Sequence, residues 1–393
     1  MTAFRCLSDA AARAAVGLFL TLAAACGCAQ AHAQAPAPAQ ASAIATPDPR
    51  ITSAARLLAG VGSAYEPHAH VASLDASAKH SETLAPQWER LRRERLSVIE
   101  GWRDDVLGAE LDRCRTLLYP FSGPDFLNAY LLFPRCDTYV FFGLERPGEV
   151  PPLEAMTRED ATALLKDVRI ALGDILVRNY FITQHMSQQL HTPRMKGMLP
   201  LLLASMGLLD VRIASVEPFD LGRTAGPLPN TGTRASRRAQ GVKVTFLQPL
   251  VGKPQTLYYL SLDATDASLR ANPEFLPFLA QHNPSMTFLK SASYLLHGNE
   301  FAATRKTLLE VSELVVQDDT GIPYRFLRER GFEVRLFGRY ARPIKDFNYG
   351  YQRDLAAAYQ QVGNVAILPF PFGYHWQEGR SGLMVARSTA RRS

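Results

Sequence analysis

Residues 114–143 read CRTLLYPFSGPDFLNAYLLFPRCDTYVFFG, and this stretch decides the fold class. Leu117–Phe121 is an apolar run, and Ser122-Gly123-Pro124-Asp125 turns the chain. Phe126–Phe133 has the length of a short helix, and Tyr139–Phe142 is a second apolar run suited to a buried strand. Strand, tight turn, helix and strand in so little chain imply two neighbouring parallel strands. Cys114 and Cys136 each stand just before one of the two runs. In parallel neighbours they lie at the same end and can meet, so they are the expected disulfide. For a loop of this length the chain-entropy model gives about 3 kcal/mol.

The last third continues the alternation. Helical patterns at Pro273–Ala280, Phe301–Leu309, Pro323–Arg330 and Arg353–Gln361 separate apolar runs at Met286–Lys290, Leu314–Gln317, Phe332–Phe337 and Val365–Phe370. A closing strand is expected at Leu383–Ala386. Between the two regions, Thr157 and Asp160 form a capping pair ahead of a long amphipathic helix. Met195–Leu209 is apolar all round, hence buried. Val211–Val216, Val242–Leu247 and Thr256–Leu262 read as strands. The expected fold is α/β, with a mixed, mostly parallel sheet and helices on both faces. The units 118–147 and 314–343 share the order strand, hydroxyl-Gly turn, Pro-led helix, strand, Phe-Gly, Arg-Pro. An internal βαβ duplication would explain this, and so would the shared demands of a tight turn.

The chain has 393 residues, 43 Lys+Arg against 37 Asp+Glu, and 47% hydrophobic residues. That composition excludes a disordered chain and a membrane bundle. Residues 1–33 read as an export signal: Arg5 and Arg13, then the apolar run Ala14–Ala25, then Ala31-His32-Ala33 before the expected cut. Periplasmic or secreted protein is the expectation, with a lipid anchor on Cys26 or Cys28 ranked second. Loss of the signal lowers the formal charge from +6 to +5. It also leaves Cys114 and Cys136 as an even pair in an oxidising compartment. No transmembrane segment is expected after its removal. An exported chain with so mild a charge has no nucleic acid as its expected partner. Residues 34–50 are an Ala/Pro-rich spacer expected to be disordered. Residues 51–84 show little periodicity and are expected to be partly irregular. Residues 85–390 form one large α/β unit, with two lobes, 85–209 and 210–390, as the alternative. Ala85–Leu107 has helical spacing. The loop 220–241 carries Arg234, Arg237 and Arg238, for which a solvated insertion is the preferred reading.

The strings LLYPFSGPDFL, TFLKSASYLLH, VVQDDTGIPYRF and ILPFPFGYHW resemble, as a set, an uncharacterised family of exported bacterial proteins. They span residues 117–376. The resemblance implies one continuous unit and carries over no catalytic residue.

No G-x-S-x-G, G-x-G-x-x-G, P-loop, H-E-x-x-H or C-x-x-C string occurs. No metal set is expected: His68 and His70 suit an exposed loop, and His185 and His191 are six apart. Any cofactor is left unknown. What remains is position. Ligands of open α/β sheets sit outside the carboxyl ends of strands. Ser122 and Asp125 follow the first strand, Asp263 and Asp266 the strand ending at Leu262, Lys290, Ser291 and Ser293 the next, and Gln317, Asp318 and Asp319 the one after. Ser122, Asp125, Asp263, Lys290, Ser293, Asp318 and Asp319 are therefore the candidate ligand cleft. Helix capping is the competing role for the Ser and Asp residues, and a structural ion pair for Lys290. Two functions follow. The first is a non-catalytic protein that binds an unidentified small molecule or cell-envelope component. The second is a hydrolase of envelope polymers or small polar substrates that uses the carboxylates.

Overall fold

The computed structural model describes residues 45–178, 190, 192, 194–222, 240–248, 251–340, 342–361, 363, 365–376 and 380–391. The expected export signal at 1–33, the expected spacer up to residue 44, and Arg234, Arg237 and Arg238 lie outside the described residues.

Ten strands form one sheet in the order β3-β4-β5-β2-β1-β6-β7-β10-β8-β9. They are β1 (Thr116–Pro120), β2 (Thr138–Gly143), β3 (Arg212–Asp220), β4 (Gln240–Leu247), β5 (Pro254–Ser261), β6 (Ser285–Leu289), β7 (Ser312–Gln317), β8 (Phe332–Gly338), β9 (Val365–Ala366) and β10 (Gly382–Ser388). The centre, β5-β2-β1-β6-β7, is parallel throughout. β4 and β10 pair antiparallel on either side of it. This is the mixed, mostly parallel α/β sheet that the alternating pattern implies. The sheet takes strands from both 85–209 and 210–390.

The central strands are buried on both faces. Leu117, Tyr119, Tyr139, Phe141, Met286 and Phe288 face one layer of helices. Leu118, Val140, Phe142, Leu289 and Val315 face the other. The first layer contains helices Pro49–Leu58, Asp75–Leu91, Ser97–Leu111, Phe126–Leu132, Arg158–Arg178 and Leu199–Leu208, the last with every residue buried. The second contains Phe275–Ala280, Ala302–Val311 and Tyr324–Glu329. β1 and β2 pair in the register Thr116↔Thr138 to Pro120↔Phe142. Cys114 and Cys136 thus lie level with each other, two residues before these strands, and they are joined at a Cα–Cα distance of 4.5 Å.

Some stretches differ from the sequence expectation. Pro49–Leu58 is a helix, where the end of the spacer and an irregular stretch were expected. Asp48 caps it through the Arg50 and Ile51 amides, and Pro49 opens it. Much of 51–84 is likewise helical. The helix of 85–107 belongs to a longer run, Asp75–Leu91 and Ser97–Leu111, joined by one π turn at Arg92–Leu96. β9 stops at Ala366 rather than Phe370, since Pro369 and Pro371 bring no amide to a ladder. The two similar βαβ units also differ in placement. β2 lies beside β1, whereas β10 intervenes between β7 and β8.

One feature of this order positions the site. From β1 the chain crosses over one face to β2, and from β6 it crosses over the other face to β7. Right-handed crossovers leaving in opposite directions put their helices on opposite faces. They part above the carboxyl ends of β1 and β6 and leave a crevice there, the switch point of the sheet.

Candidate functional site

A cleft of about 100 Å³ lies at this point. Tyr119, Phe121, Ser122, Gly123 and Asp125 line it from β1. Gly143, Leu144 and Glu145 line it from β2, and Lys290, Ser291, Ala292, Ser293 and Leu295 from β6. The backbone here is bent into unusual conformations. Phe121, Ser291, Ser293 and Tyr294 have φ of 56°, 52°, 52° and 57°. Left-handed backbone at residues other than glycine is uncommon and costs of order 1 kcal/mol or more each. Four of the five such residues among those described stand at these two strand ends.

At the floor, Lys290 Nζ is 2.5 Å from Asp125 Oδ2, and both side chains are almost wholly buried. Tyr119 donates its hydroxyl to the same oxygen at 3.0 Å. The other oxygen accepts the Asn128 amide at 3.1 Å and the Asn128 Nδ2 at 2.8 Å. The carboxylate has room for about four donors and has four. Asp125 is therefore both the cap of helix Phe126–Leu132 and the partner of Lys290. Burial pulls the Lys290 ammonium below its ordinary pKa, against the opposing pull of Asp125 and Asp318.

Asp318 is buried beside this pair. Its Oδ2 accepts the Ser291 amide at 2.9 Å, and its Oδ1 accepts the Thr320 amide at 3.0 Å and hydroxyl at 2.5 Å. The Thr320 hydroxyl also accepts the Ala292 amide at 2.7 Å. The turn after β7 thereby holds the strained turn after β6 in place. Gly373, at φ 60°, roofs Asp318, where a Cβ would collide with Oδ2. Tyr374 then donates its hydroxyl to the Ser291 carbonyl at 3.0 Å, and that hydroxyl lies 2.8 Å from Ser293 Oγ. Asp319 points away to the Tyr294 hydroxyl, which it accepts at 2.5 Å. Burial raises the carboxyls of both Asp318 and Asp319 above the usual range, and the Asp319 charge raises Asp318 further.

The structure thus brings Ser122, Asp125, Lys290 and Ser293 to one cleft, with Asp318 directly behind it and Asp319 on the far side of Asp318. Ser122 caps nothing, since its hydroxyl donates to the Gly123 carbonyl at 3.1 Å. Asp263 is elsewhere. It follows β5, accepts the Thr265 amide at 3.0 Å and the Ser268 hydroxyl at 2.6 Å, and orders a turn. Asp266 accepts the Ala303 amide at 3.0 Å. Sequence reasoning gave no place in the site to Tyr119, Asn128, Thr320 or Tyr374. Tyr119 carried a signal, because a Tyr inside an apolar strand needs a partner for its hydroxyl. Among the described residues no group of three His, Cys, Asp or Glu side chains is placed to hold a metal ion.

No family model, no curated protein and no solved structure matches the chain.

Proposed function

We propose that the chain is an exported, non-catalytic binding protein whose small ligand, or the end of a larger cell-envelope component, enters the cleft between β1 and β6. The saturation of Asp125 carries this reading. Of the two carboxylates that line the cleft, Asp125 and Glu145, the buried one, Asp125, is filled by four donors, the buried ammonium among them. A general base needs an open lone pair in reach of the proton that it takes, and Asp125 has none. Export is supported by the Cys114–Cys136 pair, since such bridges persist in oxidising compartments. It is supported also by the signal-like residues 1–33, with a lipid anchor as the lesser form of the same proposal. No helix among the described residues is long and apolar enough to cross a membrane.

A hydrolase is the second reading, and one observation favours it. Ser291 Oγ is buried without a hydrogen-bond partner, next to Asp318. A thermal-shift screen of the purified protein against sugars, peptidoglycan fragments and metals tests the binding reading. A hit should vanish in Ser293→Trp, which fills the cleft, while circular dichroism shows an intact fold. A hit of undiminished size in that variant would refute the cleft as the binding site. Labelling of Ser291 by a fluorophosphonate probe, lost in Ser291→Ala, would decide for the hydrolase.

A further inference from the structure

Two large side chains are left in water, each 70% exposed: Leu144, which lines the cleft, and Tyr349, which lies beside its Ser293 edge. Leu144 directly follows β2, and the Tyr349 hydroxyl donates to the Ser293 carbonyl, just past β6, at 3.3 Å. β1 lies between those strands. Tyr349 is held by more than its hydroxyl. Its ring meets Phe347 edge-on at 6.1 Å and Tyr294 at 6.3 Å. Phe347 in turn stacks at 5.3 Å on Tyr374, whose hydroxyl is tied to Ser291 and Ser293. The result is an aromatic ring fixed at the lip of a polar cleft, with most of its surface open.

The lining narrows what can sit against it. Lys290 is engaged by Asp125, Glu145 also lines the cleft, and Asp318 lies behind it, which disfavours an anionic ligand. The Ser122 hydroxyl gives its proton to Gly123, so toward a ligand it accepts. Acceptors below and an open ring at the side suit a molecule that has O–H donors on its edge and a C–H face. A pyranose has both.

We propose that the ligand is a neutral saccharide, stacked on Tyr349 with its hydroxyls directed into the cleft. This rests on the binding reading above and names its ligand class. An amphipathic ring held rigidly is an efficient contact surface, because little freedom is lost on binding.

The test is calorimetric titration of the full chain with cellotriose and N-acetylchitotriose. At least one binds, Tyr349→Ala weakens that binding about tenfold, and Tyr349→Phe, which keeps the ring, restores most of it. With Tyr349 largely in water, the alanine variant keeps its fold, and its melting temperature checks this. Equal affinity of wild type and Tyr349→Ala overturns the stacking role. If Ser293→Trp still abolishes that binding, the cleft stands as the site. Absence of binding by both sugars overturns the saccharide inference. A thermal-shift hit by a charged fragment, lost in Ser293→Trp, would then leave the cleft itself as a binding site.

Discussion

β1 and β5 lie in the same parallel core, with only β2 between them, and each is followed within a few residues by an aspartate. Their fates differ. Asp263, after β5, is half-buried and satisfied by its own turn through Thr265 and Ser268. Asp125, after β1, is buried, caps a helix and meets a lysine from 165 residues further along the chain. The chemistry of the two side chains is the same, and the topology is not. β1 borders the switch point, where the crossovers part, whereas β5 leads into ordinary helices on one face. For these two carboxylates, the place of the strand in the sheet and not the residue type sets the role.

The largest expected effect tests the buried half of this comparison. Lys290→Met leaves Asp125 buried and unpaired, and should cost about 3–5 kcal/mol in urea unfolding. Adding Asp125→Asn should recover much of the loss, since removing both charges is far cheaper than removing one. A single-variant loss below about 1 kcal/mol would mean that water replaces the lysine, and that the pair is not a sealed unit. At the opposite, amino end of β1, Cys114→Ser should cost about 2–4 kcal/mol and leave ligand affinity unchanged. Changed affinity there would show that the two ends of the strand are coupled. Asp263→Ala should cost about 0.5–2 kcal/mol, the range for a lost cap, again with no effect on ligand. Failure of ligand binding in Asp263→Ala would erase the distinction drawn between the two strand ends.

The smallest effect is a difference of sign in pH dependence. Burial raises Asp318 and Asp319 above the ordinary value of about 3.9. In the window between that value and their raised folded values the native state holds protons that the unfolded chain does not. Their contribution therefore makes stability rise as pH falls from neutral. Asp263 runs the other way. Burial alone would raise it, but the Ser268 and Thr265 hydrogen bonds outweigh burial and hold it low. Its contribution is present above about 3.9 and is lost as pH falls through its folded value. Melting curves should show the stability of Asp319→Asn relative to wild type declining between pH 7 and pH 4.5. The deficit of Asp263→Asn should shrink below pH 4. Parallel curves for the two variants would remove the contrast in environment.

Much of this could be read from residues in sequence. The unit 114–143 was legible because its periodicity, turn chemistry and paired cysteines all agree, and the register Thr116↔Thr138 follows from the same spacing. Lys290 stood out because it ends an apolar strand. Other parts were illegible for physical reasons. The helix at 49–58 is only ten residues long, and its signs, the Asp-Pro start and the spacing Ile51, Ala54, Ala55, Leu58, fall where an Ala/Pro-rich stretch runs out. The insertion of β10 between β7 and β8 depends on a return of the chain that no local pattern encodes. Asp263 and Asp125 look alike in sequence because strand order separates them. Tyr349 follows no periodic pattern, and only its tether to Ser293 places it beside the cleft.

The β1/β6 switch point is the proposed place of ligand entry. Hydrogen exchange read by mass spectrometry, with and without the best-binding saccharide, tests it most directly. Protection should appear in peptides covering 119–125, 143–145 and 290–295. Protection instead around the larger cleft of about 540 Å³ at the amino ends of the strands, lined by Arg103, Tyr130, Arg135 and Lys253, would contradict it.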